Sequence, residues 1–213
     1  MYKLILFDFD GTIADTSEGI LDSHCYTLKD FGCKIPTEEV LRKLIGGNLL
    51  NIYTKTFGFT EERAREAISM YRKRYADVGI HKASLYPNFK NLLIKLKENG
   101  VSIGVATLKY EKFAKQMLFE MNVDGYFDVV FGMDKNDSFD KAMLITKCID
   151  KLSCEKEETL FIGDTMNDYV GAEKAGVDFL GVTYGFGFSE NESNIKHQDL
   201  QFVDNPLDIL RYL

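Results

Sequence analysis

The 213-residue sequence predicts an α/β architecture: a parallel sheet covered by helices on both faces, with an all-helical block inserted near the start. The apolar run Leu4-Ile5-Leu6-Phe7 reads as a buried strand. Residues 15–83 show helical periodicity and no convincing strand. After Pro87, strand and helix alternate to the end of the chain, which is the pattern of a sheet buried on both faces.

After the first strand, Asp15 and Glu18 have the spacing of a capping box. Ile20, Leu21, His24, Leu28 and Phe31 then form an apolar stripe that ends at Gly32. Thr37-Glu38-Glu39 opens a second helix, stopped by Gly46-Gly47, and a third is expected from about 48 to 57. Thr60-Glu61-Glu62 caps a fourth, with Ala64, Ala67, Ile68, Tyr71 and Tyr75 on one side. Beyond Pro87, a helix with Leu92, Leu93 and Leu96 ends at Gly100. Strands are expected over 101–106, 127–131, 159–163 and 179–183, separated by helices over 111–121, 138–151 and 168–174. Asn205-Pro206 starts a last helix, with proline in the favoured first turn.

Lys plus Arg number 26 against 33 for Asp plus Glu, a net charge of −7, which argues against a nucleic-acid partner. No apolar run approaches the ~20 residues of a membrane span, so no membrane partner is expected. Cys25, Cys33, Cys148 and Cys154 form no C-x-x-C, and His24, His81 and His197 stand far apart, so a zinc site is not expected. Reduced thiols and a start without signal-peptide character imply a cytoplasmic chain. No heptad or long exposed apolar strip calls for a partner, and a monomer or weak homodimer is expected.

Chemistry concentrates in Asp8-Phe9-Asp10-Gly11-Thr12, at the end of the first strand. Strand alternation places Asp8 and Asp10 on one side and Phe9 on the other, with Gly11 allowing a sharp turn that the Thr12 hydroxyl can hold. A calcium loop would need a preceding helix and a Glu at its twelfth position; what precedes is β-like, and the twelfth residue counted from Asp8 is Gly19. Magnesium and phosphate fit better, because Mg2+ is commonly held by one or two carboxylates together with phosphate oxygens.

Parallel sheets bind ligands outside the carboxyl ends of their strands. Those ends deliver Asp8 and Asp10, then Thr107 with Lys109 nearby, then Asp164 with Asp168 one helical turn further on. Lys141 lies in the helix before the Asp164 strand, with Lys135 and Lys147 as alternatives for the same role. In phosphoryl transfer Asp8 is the candidate nucleophile and Asp10 the candidate acid and base. Asp8, the Asp10 carbonyl and Asp164 are candidate Mg2+ ligands, with Asp168 as a further ligand or its neighbour. Thr107 and Lys141 are placed to meet phosphoryl oxygens.

These motifs resemble the haloacid dehalogenase superfamily of phosphohydrolases, and within it the phosphoglycolate phosphatase-like branch. DFDGT matches its nucleophile motif, Thr107 in VATLK its second, and the stretch from Gly163 through Asp168 its acidic fourth; the third is only a lysine before the fourth strand. The resemblance implies a Rossmann-like core over residues 1–14 and 84–213, and a helical cap over 15–83 that closes on the site. Thr12, Thr107 and the backbone amide of Leu108 become substrate-binding candidates on the core, with Arg42, Lys43 and the Gly46-Gly47 loop on the cap. Two positions depart from the family pattern: Asn88 stands where relatives often have Gly, and Leu108 where they often carry a small polar or amide residue.

The expected activity is Mg2+-dependent hydrolysis of a small phosphorylated metabolite through an aspartyl phosphate, with phosphoglycolate as the leading single substrate. A sugar-phosphate mutase, a pyrophosphatase, a 5'-nucleotidase and a phospho-accepting signalling module are the alternatives. In a receiver module the acceptor is expected on a middle strand after the acidic pair, which is not the order here.

Overall fold

The computed structural model describes residues 1–188 and 200–213; His197 lies outside the described residues. Strand β1 (Leu4–Phe7) is followed by the two-residue strand β2 (Ala14–Asp15), which pairs antiparallel with β3 (Ser84–Leu85). Between β2 and β3 lie α1 (Ser17–Asp30), α2 (Glu38–Arg42), α3 (Leu49–Asn51), a π-helical turn (Ile52–Thr56) and α4 (Glu61–Asp77). The rest of the chain alternates: α5 (Phe89–Glu98), β4 (Ser102–Tyr110), α6 (Glu111–Glu120), β5 (Val129–Met133), α7 (Lys141–Leu152), β6 (Thr159–Gly163), α8 (Met166–Ala175) and β7 (Asp178–Val182). A last strand, β8 (Gln201–Val203), precedes a 3₁₀ segment (Pro206–Tyr212).

Six strands form one parallel sheet in the order β5-β4-β1-β6-β7-β8. β1 is central because both of its faces are apolar. Ile5 and Phe7 pack with α5 and α6 on one side, while Leu4 and Leu6 pack with Leu144, Ile145 and Cys148 of α7 on the other. The carboxyl ends of β4, β1 and β6 therefore lie side by side.

Register is regular along β1, but not between β4 and β5. Ala106 pairs with Phe131 and Tyr110 with Met133, so three residues, Thr107, Leu108 and Lys109, stand opposite Gly132 alone. A bulge of this kind frees backbone groups from the ladder and re-aims side chains.

Several local expectations are corrected. β1 stops at Phe7; the Asp8 amide still donates to the Ile162 carbonyl of β6, while the Phe9 carbonyl accepts the amides of Thr12, Ile13 and Ala14, so Asp10 lies on a tight turn beyond the strand. Asp15 and Glu18 form no capping box: Asp15 accepts from the amide and hydroxyl of Ser17, and the N-cap is Thr16. The last helix is 3₁₀ throughout, and β8, β2 and β3 were not foreseen. Asn88, at φ +68°, takes the left-handed conformation that glycine would otherwise supply.

Candidate active site

Asp8, Asp164 and Asp168 are buried, and each offers a carboxylate oxygen within 4.8 Å of the others'. Asp8 follows β1 and Asp164 follows β6, and the two strands are neighbours. Asp168 sits in the first turn of α8, in a reciprocal cap: its Oδ2 accepts the Thr165 amide (3.0 Å) and hydroxyl (2.6 Å). Its Oδ1 is buried without a donor in hydrogen-bonding geometry, its close cation being the Lys141 ammonium at 2.8 Å.

Of the three candidate lysines, Lys141 is the one whose ammonium reaches the acids, with Nζ 2.6 Å from Asp8 Oδ1. Lys147 instead lies over the rings of Phe131 and Phe139, and the backbone carbonyl of Lys135 accepts from Arg72. Burial disfavours the charged form of Lys141, but the charges of Asp168 and Asp8 outweigh it and hold the ammonium above the ordinary lysine range. Burial is also the main reason that the Asp8 carboxyl is pushed up to about 6, with Asp168 and Asp10 adding to it and Lys141 opposing. Asp164 is raised for the same leading reason.

Gly11, at φ +83°, passes so close to the Asp164 carboxylate that any side chain there would collide with it. The neighbouring Thr12 hydroxyl points at Asp164 Oδ1 (3.4 Å) rather than back onto its own turn, and the Phe186 amide donates to Asp164 Oδ2 (2.7 Å).

The Asp10 carboxylate is held apart from these three acids. Its Oδ1 accepts the Thr16 hydroxyl (2.7 Å) and the Lys109 ammonium (2.8 Å). The β4 bulge turns Lys109 inward, and buries Thr107 beside the acids' strand ends. In the sequence Lys109 stands out only as a neighbour of Thr107; its pairing with Asp10 spans 99 positions and leaves no local signature.

On the helical block, Gly46 faces the methyl of Thr165, which a Cβ at that position would meet at 3.9 Å. Arg42 and Lys43 each pair with a glutamate one helical turn back, Glu38 and Glu39, on an exposed face. Both also border a cleft beside Thr165, Asn167 and Phe186. A larger cleft of about 520 Å³ runs between this block and α7 and α8, with Lys43, Lys55, Lys141 and Lys174 in its walls. A separate hole of about 40 Å³ adjoins Asp10, walled by His24, Tyr71, Tyr75, Leu108 and Lys109.

The family model for haloacid dehalogenase-like hydrolases matches residues 5–182. The chain belongs to the haloacid dehalogenase-like hydrolases. Within that family it is 36% identical to a 5'-nucleotidase of Pseudomonas aeruginosa over 90% of this chain and 86% of the relative. It is 30% identical to phosphoglycolate phosphatase 1 of the same organism, over 98% of this chain and 78% of the relative. In structure it is similar to a predicted phosphatase from Clostridium acetobutylicum, with a TM-score of 0.91 and 32% identity over 100% of this chain and 97% of that one. The resemblance seen in the motifs is borne out, as is the α/β fold. Among the described residues no helix is long and apolar enough to cross a membrane.

Proposed function

We propose that this haloacid dehalogenase-like hydrolase is a Mg2+-dependent phosphatase that cleaves a small phosphate monoester through an aspartyl phosphate. The observation that carries it is the convergence of Asp8, Asp164, Asp168 and Lys141, all buried, at the ends of adjacent strands. Three carboxylates and one ammonium in a buried cluster leave negative charge uncompensated, since Lys141 is shared between Asp8 and Asp168.

An all-oxygen donor set of this kind suits a hard divalent cation. Asp8, Asp164 and the Asp10 carbonyl would hold Mg2+, with Asp168 beside them, and the bound ion would neutralise charge between carboxylate and phosphate. Asp8 is the nucleophile: burial raises its carboxyl, while the Lys141 ammonium favours the charged form. It attacks phosphorus, and the bond to the leaving oxygen breaks as Asp10 protonates that oxygen. Asp10 then removes a proton from the water that cleaves the acyl phosphate. Lys141, the Thr107 hydroxyl and the Leu108 amide would meet the phosphoryl oxygens, and Thr12 would steady Asp164.

Residues 15–83 act as the cap in this scheme, with Gly46 facing Thr165 and Arg42 at the rim of the neighbouring cleft. The lysine-lined cleft would draw an anionic ester into a chain whose net charge is −7. The hole beside Asp10 favours a leaving group of a few heavy atoms, so phosphoglycolate is the leading substrate. A nucleoside monophosphate is the second reading, favoured by the 36% identical 5'-nucleotidase. Four unpaired cysteines suit a reducing, cytoplasmic setting.

The test is phosphate release from a panel of small phosphate esters, nucleoside monophosphates and pyrophosphate, with and without Mg2+, using Asp8→Asn as the blank. Mg2+-dependent release confined to a few monoesters supports the proposal. A stable phosphate on Asp8 without turnover, or transfer to a second substrate oxygen, overturns it in favour of a signalling module or a mutase.

A further inference from the structure

Lys109 is a buried cation with two partners from different parts of the fold. Its side chain is 5% exposed, and Nζ lies 2.8 Å from Asp10 Oδ1 and 2.7 Å from the Tyr75 hydroxyl. Tyr75 is buried on α4, in the helical block, whereas Asp10 lies on the turn after β1 and Lys109 on the bulge at the carboxyl end of β4. The Tyr75 hydroxyl accepts from Lys109 and in turn faces Met117 Sδ of α6 at 3.6 Å. The same ammonium lies 4.4 Å from the Tyr75 ring centre and 5.5 Å from that of Phe9.

Burying an ammonium is costly unless it is paired, and an apolar side chain of similar length would fill this space without that cost. The charge therefore marks a use beyond packing. Asp10 Oδ1 takes two donors, Lys109 from the bulge of β4 and Thr16 from the start of α1, which fixes the plane of the carboxylate. An ammonium that donates to both Asp10 and Tyr75 has its full set of partners only while α4 is seated on the core. Undocking α4 removes Tyr75 and leaves Lys109 to be solvated, and Asp10 loses the fixed donor that orients it.

We propose that Lys109 is a positioning residue that makes the alignment of the Asp10 carboxylate depend on the docking of α4 through Tyr75. It rests on the reading of Asp10 as acid and base given above. Lys109 does not touch the reacting atoms; it sets where the proton-transferring group stands when they react.

Leaving groups separate this role from a structural one. A phenolate departs without protonation, whereas an alkoxide needs Asp10, and both routes need Asp10 as base to clear the aspartyl phosphate. The experiment compares wild type, Asp10→Asn, Lys109→Met, Lys109→Arg and Tyr75→Phe on p-nitrophenyl phosphate and on the best alkyl monoester of the panel, following burst, steady state and phosphoenzyme. Lys109→Met is expected to lower kcat for the alkyl ester by on the order of 10²-fold, the lower range of acid–base contributions, with KM nearly unchanged. With the aryl ester it is expected to keep the phenol burst and accumulate phosphoenzyme. Tyr75→Phe should show the same pattern more weakly, and Lys109→Arg should restore part of kcat.

Equal losses of burst and alkyl turnover, a change in KM alone, or wild-type kinetics in both Lys109→Met and Tyr75→Phe overturn the proposal. Tyr75→Phe and Lys109→Arg decide it if Lys109→Met does not fold. If Asp10→Asn shows the leaving-group pattern and the Lys109 and Tyr75 variants do not, the positioning role fails alone. If Asp10→Asn shows no such pattern, or wild type cleaves no ester, the assignment of Asp10 falls and the positioning role falls with it.

Discussion

Lys141 Nζ lies 2.6 Å from Asp8 Oδ1, and the same nitrogen is 2.8 Å from Asp168 Oδ1, so one buried ammonium serves two acids on different elements. Replacing it by methionine keeps the volume and removes the charge. Breaking a buried pair from one side costs about 3 kcal/mol or more, equivalent to roughly 6–12 °C in Tm for a chain of this size. We expect Lys141→Met to show a fall of that order by thermal denaturation in chelator. It should also lose on the order of 10²-fold or more in kcat, as when one charge-stabilising donor is removed from a site. Unchanged kcat would remove Lys141 from the phosphoryl-binding role.

Asp164 and Asp8 are both held above the ordinary carboxylate range chiefly by burial, so the cluster pays for its charge until a cation arrives. Mg2+ at 100-fold over its dissociation constant should stabilise the folded chain by about 2.7 kcal/mol, or roughly 5–10 °C. Asp164→Asn removes the charge of a proposed ligand while keeping nearly the same shape, and its Tm should barely respond to Mg2+. A full Mg2+ response in that variant would place the ion elsewhere.

Much of this arrangement was legible in the sequence because its parts are local. Asp8, Asp10 and Thr12 follow an apolar strand directly, and Asp168 reads as a first-turn residue four positions beyond Asp164. The unforeseen parts are short or distant. β2 and β3 have two residues each and β8 has three, too few for an alternation to be visible. Tyr75 was assigned to the apolar stripe of α4 and does lie there, but its hydroxyl meets a lysine 34 positions away, brought inward by a bulge that no periodicity announces. Spacing alone points to Asp15 and Glu18 as a cap, whereas the fold turns the Thr16 hydroxyl to Asp10.

His24, on the helical block, provides a pH test that leaves the acids unchanged. Burial between Tyr53 and Tyr71 pushes its imidazole down to about 4, and its Nδ1 is 3.2 Å from the Tyr53 hydroxyl. The unfolded chain takes up this proton near pH 6.5, and the folded chain near 4. Stability from His24 is therefore present above pH 6.5 and lost as pH falls toward 4, a loss of roughly 3 kcal/mol. Between pH 7.5 and 4.5, Tm of His24→Asn should fall less than that of wild type. Parallel curves would show that the imidazole titrates alike in both states.

Arg72 of α4 reaches across to the loop before α7, donating to Asp137 Oδ1 (2.8 Å) and to the carbonyls of Lys135 (2.9 Å) and Asp134 (3.3 Å). Its guanidinium also stacks 4.8 Å from the Tyr110 ring centre, and the ion pair is largely buried, at 15% and 4% side-chain exposure. A planar fork can meet this spread of acceptors, whereas a lysine ammonium is a point donor. Arg72→Lys should therefore cost about 1–3 kcal/mol in the contact between α4 and the core, without touching Asp8. Hydrogen exchange should quicken in α4 and in residues 134–138 while the β1 amides stay protected, and kcat for an alkyl ester should fall as the docking of α4 that aligns Asp10 weakens. If exchange in both segments matched wild type, Arg72 would not be what seats α4 on the core.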